Sequence, residues 1–271
     1  MVYGVLRFIN FAHSEVFMVG AFAGFYLARL FPNPTVATGL LVLAGAMIIC
    51  AILGVTIEKL AYRPLRGRST LTVLITAIGV SLLLQNLGQL IFGPNPKSFP
   101  KLFPQHNFIL PGHIVISSDQ LTVFCVTLIL LTGLRHVVMK TRIGTAMRAL
   151  SFNPIAASLV GINNDRVISF TFALGSAMAA GGGILYALNY PSIDPLMGTL
   201  PGLKAFVAAV LGGIGNLPGA ALGAMVIGLV ETFVRGGRWS TYADAIVFSI
   251  LILILLFRPA GLLGKLEVEK V

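Results

Sequence analysis

Residues 140–166, KTRIGTAMRALSFNPIAASLVGINNDR, form a polar island between two strongly apolar runs. Lys140, Arg142, Arg148 and Arg166 stand there against a single acid, Asp165. Ala146, Ala149, Ala156, Ala157 and Gly161 recur at or near helical spacing, and Asn153-Pro154 marks a turn between two halves. A basic segment between membrane spans is ordinarily a cytoplasmic loop. One that also carries a small-residue helix surface suits close approach by another protein. The same composition fits an ordinary positive-inside loop with one amphipathic turn.

Outward from the island, the chain is apolar almost throughout. Of its 271 residues 56% are hydrophobic and only 10% charged, where a soluble domain carries about 25%. Runs near 15–31, 35–57, 70–92, 119–139, 167–188 and 242–257 approach the ~20 residues that cross a bilayer as a helix. Pro32-Asn33-Pro34 connects the first two, and a polar connection runs from Gly93 to about Ser118. The stretch 202–231 is interrupted by Gly212-Gly213-Ile214-Gly215-Asn216-Leu217-Pro218-Gly219. Glycine adds backbone freedom and proline removes a donor, so two half-length helices joined by a bend are expected. Irregular backbone at membrane depth is tolerated only inside protein or beside water, which would keep the bend off the lipid face.

Charge sets the orientation and excludes several functions. Placing residues 58–69, 140–166 and the C-terminus on one side divides the 19 cations thirteen to six, and the richer side is read as cytoplasmic. The net charge of +10 therefore belongs to span ends, and no nucleic-acid partner is expected. Cys50 and Cys125 lie inside apolar runs, and His13, His106, His113 and His136 are scattered, so no metal site is expected. Gly261–Leu266 lacks the spacing and the Ser/Thr of a phosphate-binding loop, and neither HExxH nor GxSxG occurs. The chain reads as a non-enzyme with no catalytic residues.

Small residues concentrate at Gly175–Gly183 and in the Gly20/Gly24 pair. Such faces let helices approach closely in lipid, and packing within the chain is the expected use. Intramembrane acids are costly, which singles out Glu15, Glu231 and Asp244. Glu231 has Arg235 four residues on, and a plain i,i+4 pair is favoured there. Asn10, His13 and Glu15 cluster at the start of a span, where they either line a path or cap and anchor the helix. Gly213, Gly215 and Asn216 either direct half-helix ends toward a solute or make a structural turn.

Five segments in order carry a family resemblance: Val5 to Glu15, Tyr62 to Arg66, the 140–166 island, Pro201 to Phe206, and Val210 to Ala220. Together they resemble the signature set of the branched-chain amino acid ABC transporter permease family, LivH type. Two departures stand out. Ser14 occupies a position where family members usually have glycine, and the family begins about one span upstream, so Met1 reads as an internal methionine and the first family helix as missing.

The resemblance implies an all-α integral membrane fold, a polytopic helical bundle with about 7–8 spans including one broken or re-entrant helix pair. It forms a single transmembrane permease domain over 1–271 with a cytoplasmic coupling loop at about 140–166. The function implied is a permease subunit moving branched-chain amino acids across the inner membrane by alternating access. The coupling interface would comprise Arg142, Gly144, Arg148, Ala149, Asn153, Ala156, Ala157 and Gly161. The translocation path would include Asn10, His13, Glu15, Gly213, Gly215 and Asn216. Expected partners are two cytoplasmic ABC ATPase subunits holding ATP-Mg, a second permease subunit (LivM type) or a copy of this chain, a periplasmic or lipid-anchored solute-binding protein, and the bilayer. No cofactor is expected on the chain itself. A related urea or amide permease is the alternative within the class; a passive channel or a sensor subunit is the alternative outside it.

Overall fold

The computed structural model describes residues 10–31, 33–104, 107–110, 114–257 and 261–264. Expectations resting on Met1 as the start, on Arg7 and the Val5 to Ile9 part of the first motif, on His106 and His113, and on the C-terminal Arg258, Lys265 and Lys270 lie outside those residues. Among the described residues there are ten α-helices. They are α1 (His13–Ala28), α2 (Val36–Ile57), α3 (Thr70–Phe92), α4 (Ser118–Lys140), α5 (Arg142–Phe152), α6 (Pro154–Leu159), α7 (Asn164–Asn189), α8 (Thr199–Gly212), α9 (Leu217–Arg235) and α10 (Ala243–Phe257).

Val36–Leu65, Leu71–Phe92, Ser118–Lys140, Asn164–Asn189 and Leu217–Arg235 are each long and apolar enough to cross a membrane. The apolar helices α1, α8 and α10 have 16, 14 and 15 residues. At 1.5 Å per residue the longest of them covers ~24 Å, short of the ~30 Å hydrocarbon core. The protein is an all-α, multi-pass integral membrane protein.

Helix starts follow side-chain chemistry. Thr35 and Thr38 form a capping box after the Asn33-Pro34 connection, and Ser117 and Gln120 form another at α4. Each satisfies backbone donors that the first helical turn leaves free. The polar connection before α4 is more ordered than its composition suggests. Residues Asn107–Leu110 and Ile114–Ser117 pair antiparallel as β2 and β3, while Lys97–Ser98 (β1) pairs with Ser192–Ile193 (β4). Phe99, Leu102 and Phe103 turn inward and are buried.

The chain divides into two compact units, one running to Thr199 and one from Leu200 onward. In the larger unit α1, α2 and α7 pack mutually. Their seams are the small residues singled out above. Gly20 lies against the backbone of Ala180, Gly54 against Ser176, and Gly183 against the Phe17 carbonyl. A Cβ at Gly183 would strike main chain, so the close α1–α7 approach requires glycine there. Met18, Phe22 and Ile184 fill the core beside this seam, with Phe22 stacked on Phe92 at 4.3 Å between centroids. The glycine-rich face of α7 serves packing within the chain.

In the smaller unit the helix breaks at residues 213–216, between α8 and α9. The half-length expectation holds for α8 at 14 residues but not for α9, which runs 19 residues. The reason is position. Pro218 falls in the first turn of α9, where its missing N–H is harmless, and Asn216 caps that turn by accepting from the Gly219 N–H at 3.1 Å. Gly213 and Gly215 have φ of 103° and 89°, a left-handed conformation that closes the bend. The bend is a helix–helix turn in which Gly213 is buried and Ile214 is 44% exposed.

Candidate functional site

The 140–166 island folds into two short helices, each started by a side-chain cap. Thr141 starts α5 by accepting from the Gly144 N–H at 3.2 Å. Gly144, Met147 and Leu150 recur every three residues and are buried, while Arg142, Thr145 and Arg148 face outward. Gly144 rests on the carbonyls of Val137 and Val138, so α5 doubles back tightly on the end of α4. Asn153 starts α6 by accepting from the Ile155 and Ala156 N–H groups, each at 3.0 Å, with Pro154 in the first turn.

Helix α6 ends at a glycine stop. The Ile162 N–H reaches the Ala157 carbonyl and the Gly161 N–H reaches the Ser158 carbonyl, both at 3.0 Å, with Gly161 at φ 85°. That is the Schellman pattern, and it needs the left-handed residue glycine supplies. Asn164 then donates to the Pro154 carbonyl at 2.9 Å, tying the start of α7 back to α6.

This placement sorts the expected coupling residues. Arg142, Arg148, Asn153, Ala156 and Gly161 are exposed, Ala149 is half-buried, and Gly144 and Ala157 are buried against the chain itself. Arg148 bonds the Met139 carbonyl at 3.2 Å and the Thr145 hydroxyl at 3.3 Å. What the island shows outward is more apolar than its small residues suggest. Phe152, Ile155, Leu159 and Val160 are 87%, 73%, 82% and 76% exposed. On a span such side chains would meet lipid, but α6 has six residues and sits between Asn153 and Asn163. Ile155 and Leu159, four residues apart on α6, were the available signal for one helical face, which Phe152 at the end of α5 extends.

Behind the island lies a polar network that sequence reasoning identified only in part. Residues Glu58–Tyr62 form a π-helical turn at the end of α2, followed by a 3-10 turn at Arg63–Leu65. Such turns mark places where a helix departs from its regular ladder. Glu58 is fully buried, paired with Arg66 and accepting from the Ser169 hydroxyl at 2.6 Å. Arg66 also pairs with Asp165, as does Arg63. Two segments about a hundred residues apart are thereby joined where α7 leaves the island. The Tyr62 hydroxyl donates to Asn10 Oδ1 at 2.6 Å, and its ring lies 5.3 Å from that of Phe172.

Of the N-terminal candidates, Asn10 makes that bond to Tyr62 and His13 is half-buried. Glu15 is 1% exposed on α1; its Oε1 accepts from Gln85 at 2.9 Å and Ser81 at 3.2 Å, both on α3. Its Oε2 has no partner among the described residues. Ser14, where the family favours glycine, donates to the Phe11 carbonyl at 2.7 Å.

In the smaller unit Asn216 uses both ends of its amide. Besides the cap, its Nδ2 donates to the Leu263 carbonyl at 3.0 Å. Leu262 and Leu263 N–H groups bond the Leu211 and Gly212 carbonyls, so residues 261–264 lie across the bend that holds Gly213 and Gly215. Glu231 pairs with Arg235 at 2.7 Å, as its spacing suggests, and also with Lys204 at 2.8 Å; Lys204 reaches Asp244 at 2.7 Å. Both acids singled out in this unit are thus ion-paired. No group of three or more His, Cys, Asp or Glu suited to a metal occurs among the described residues.

Comparison with known proteins gives a consistent picture. The family described as branched-chain amino acid transport system / permease component matches residues 1–256. The high-affinity branched-chain amino acid transport system permease protein BraD of Pseudomonas aeruginosa is 42% identical, over 100% of this chain and 91% of its own length. The LivH permease protein of Escherichia coli K12 is 41% identical, over 100% of this chain and 90% of its own. The ribose import permease protein RbsC of Escherichia coli K12 is 31% identical over 42% of this chain and 37% of its own. No solved structure matches.

Proposed function

The chain belongs to the branched-chain amino acid transport system permease family, and from that premise we propose that it is the transmembrane permease subunit of an ABC importer for branched-chain amino acids. The observation that carries this reading is the exposed apolar face Phe152–Ile155–Leu159–Val160 on a capped helix pair between spans. Apolar side chains that the chain leaves uncovered on short capped helices suit a protein groove, the helix-in-groove mode of recognition. The occupant of that role is a cytoplasmic ATPase subunit, two of which bind ATP-Mg and close on it.

Closure would displace α5 and α6 as a capped pair. Asp165 follows α6 closely, and its pairs to Arg63 and Arg66 lead to the π-helical turn and to buried Glu58. The displacement thereby reaches α2 and α7 together, and their movement switches access between the two sides. The charge count supports an inner-membrane protein whose 140–166 loop and C-terminus are cytoplasmic. A second permease subunit or a second copy, and an external solute-binding protein, complete the importer.

Within the membrane, Glu15 is the strongest candidate for the solute path, because a buried carboxylate with one free oxygen is costly to retain for packing alone. The test of function is labelled leucine uptake in a strain lacking its own high-affinity system, complemented with this chain and its cognate partners. Uptake that requires the ATPase and is competed by valine but not by urea is the expected result. Competition by urea alone would assign the chain to urea or amide import.

A further inference from the structure

We infer that the basic shelf between the end of α2 and the start of α7 is a binding site for the phosphate headgroup of an anionic phospholipid. It is an open cavity of about 420 Å³ lined by Val55, Lys59, Arg63, Asn163, Asp165, Arg166 and Ser169. The inference goes beyond the transport reading and requires only that the chain spans a membrane.

Charge is the first argument. Lys59, Arg63 and Arg166 line the shelf with one acid, Asp165, which also pairs with Arg66, itself paired to buried Glu58. Arg63 and Arg66 are engaged by those two acids. Lys59 and Arg166 make no ion pair among the described residues, and both are exposed. The shelf therefore carries two uncompensated cations, with Asn163 and Ser169 adding polar side chains at its wall. The N-terminal end of the 26-residue α7 lies here as well and adds the positive end of its dipole.

Continuity with an apolar track is the second argument, and it selects a lipid over a soluble anion. Ile48, Ile52 and Val55 on α2, and Lys59 in the π-helical turn that follows it, stand three or four residues apart, with Ile48 and Ile52 61% and 63% exposed. They make an outward apolar stripe that ends at the free ammonium. A phospholipid with its phosphate between Lys59 and Arg166 would lay an acyl chain along that stripe. Basic pockets between spans are established headgroup sites, and each Lys or Arg near such a surface strengthens anionic-lipid binding about fivefold.

The test is native mass spectrometry of the full chain released from detergent, titrated with phosphatidylglycerol and, separately, phosphatidylethanolamine. Wild type should retain phosphatidylglycerol in preference. The double variant Lys59→Ala/Arg166→Ala should lose phosphatidylglycerol affinity on the order of 25-fold, with phosphatidylethanolamine unchanged. Lys59→Arg/Arg166→Lys should retain the preference, which separates charge from misfolding. Equal retention of phosphatidylglycerol by wild type and the double alanine variant would overturn the proposal. Millimolar inorganic phosphate that displaces the lipid completely would reassign the shelf to a soluble anion. A double alanine variant that loses its ATPase partner yet keeps its lipid would reassign it to a protein contact.

Discussion

Glu58 shows how much one residue can hold. Its side chain is wholly buried, and its compensation is Arg66 together with the Ser169 hydroxyl. Removing one partner of a buried pair leaves an unpaired charge, which costs about 3–5 kcal/mol, far more than the pair itself contributes. Arg66→Ala should therefore lower the thermal midpoint sharply, and Glu58→Gln in the same chain should restore most of the loss. A midpoint unmoved by Arg66→Ala would contradict the pairing. Asp165 is the contrast: it is 44% exposed, so Asp165→Asn should cost less than about 1 kcal/mol of stability while weakening transport. Glu15→Gln keeps an oxygen for Ser81 and Gln85 but removes the charge. It should leave insertion intact and reduce uptake at least about tenfold if the carboxylate serves the solute; unchanged uptake would make Glu15 a packing residue. None of these pairings was legible in the sequence: Asp165 meets Arg63 and Arg66 across about a hundred residues, and Glu58 reaches Arg66, eight residues on, only through the π-helical and 3-10 turns between them.

At the scale of elements, the helix pair α5–α6 separates two roles that the sequence reading had joined. Small residues at helical spacing were legible, but their direction was not, and Gly144 and Ala157 turn inward to bring α5 and α6 against the chain. The outward face is made by Phe152, Ile155, Leu159 and Val160. Ile155→Asp/Leu159→Asp should weaken ATPase co-purification by at least about thirtyfold, the scale of one lost interface hot spot, with normal membrane insertion. Ala156→Trp, exposed on the same helix, should act in the same direction. Gly161 must be tested differently. A tryptophan there would break a left-handed helix stop, so Gly161→Ala should loosen residues 154–162 by about 1–2 kcal/mol, visible as faster hydrogen exchange, without any partner present. Exchange unchanged by Gly161→Ala would remove the Schellman stop from the account. The bend before α9 gives the same lesson: its position was readable from four glycines and a proline, whereas Pro218 begins a helix there, so α9 is full-length.

For the whole molecule, the apolar runs located the long helices closely, since lipid demands long uninterrupted helices and leaves a strong compositional trace. The run read at 70–92 is α3 without adjustment, and the others differ by a few residues at their ends. The pairing of 107–110 with 114–117 escaped notice because four-residue strands inside a polar connection carry too few alternations to register. In the proposed mechanism the scales join: ATP-driven force would enter at α5–α6, pass through Asp165 to α2 and α7, and move a branched-chain amino acid. The most direct test is leucine accumulation in proteoliposomes holding the complete importer, with and without ATP, for wild type and for Ile155→Asp/Leu159→Asp. The account predicts ATP-dependent accumulation by wild type and none above the ATP-free level by the variant. Accumulation by wild type without ATP, or undiminished accumulation by the variant, would contradict it.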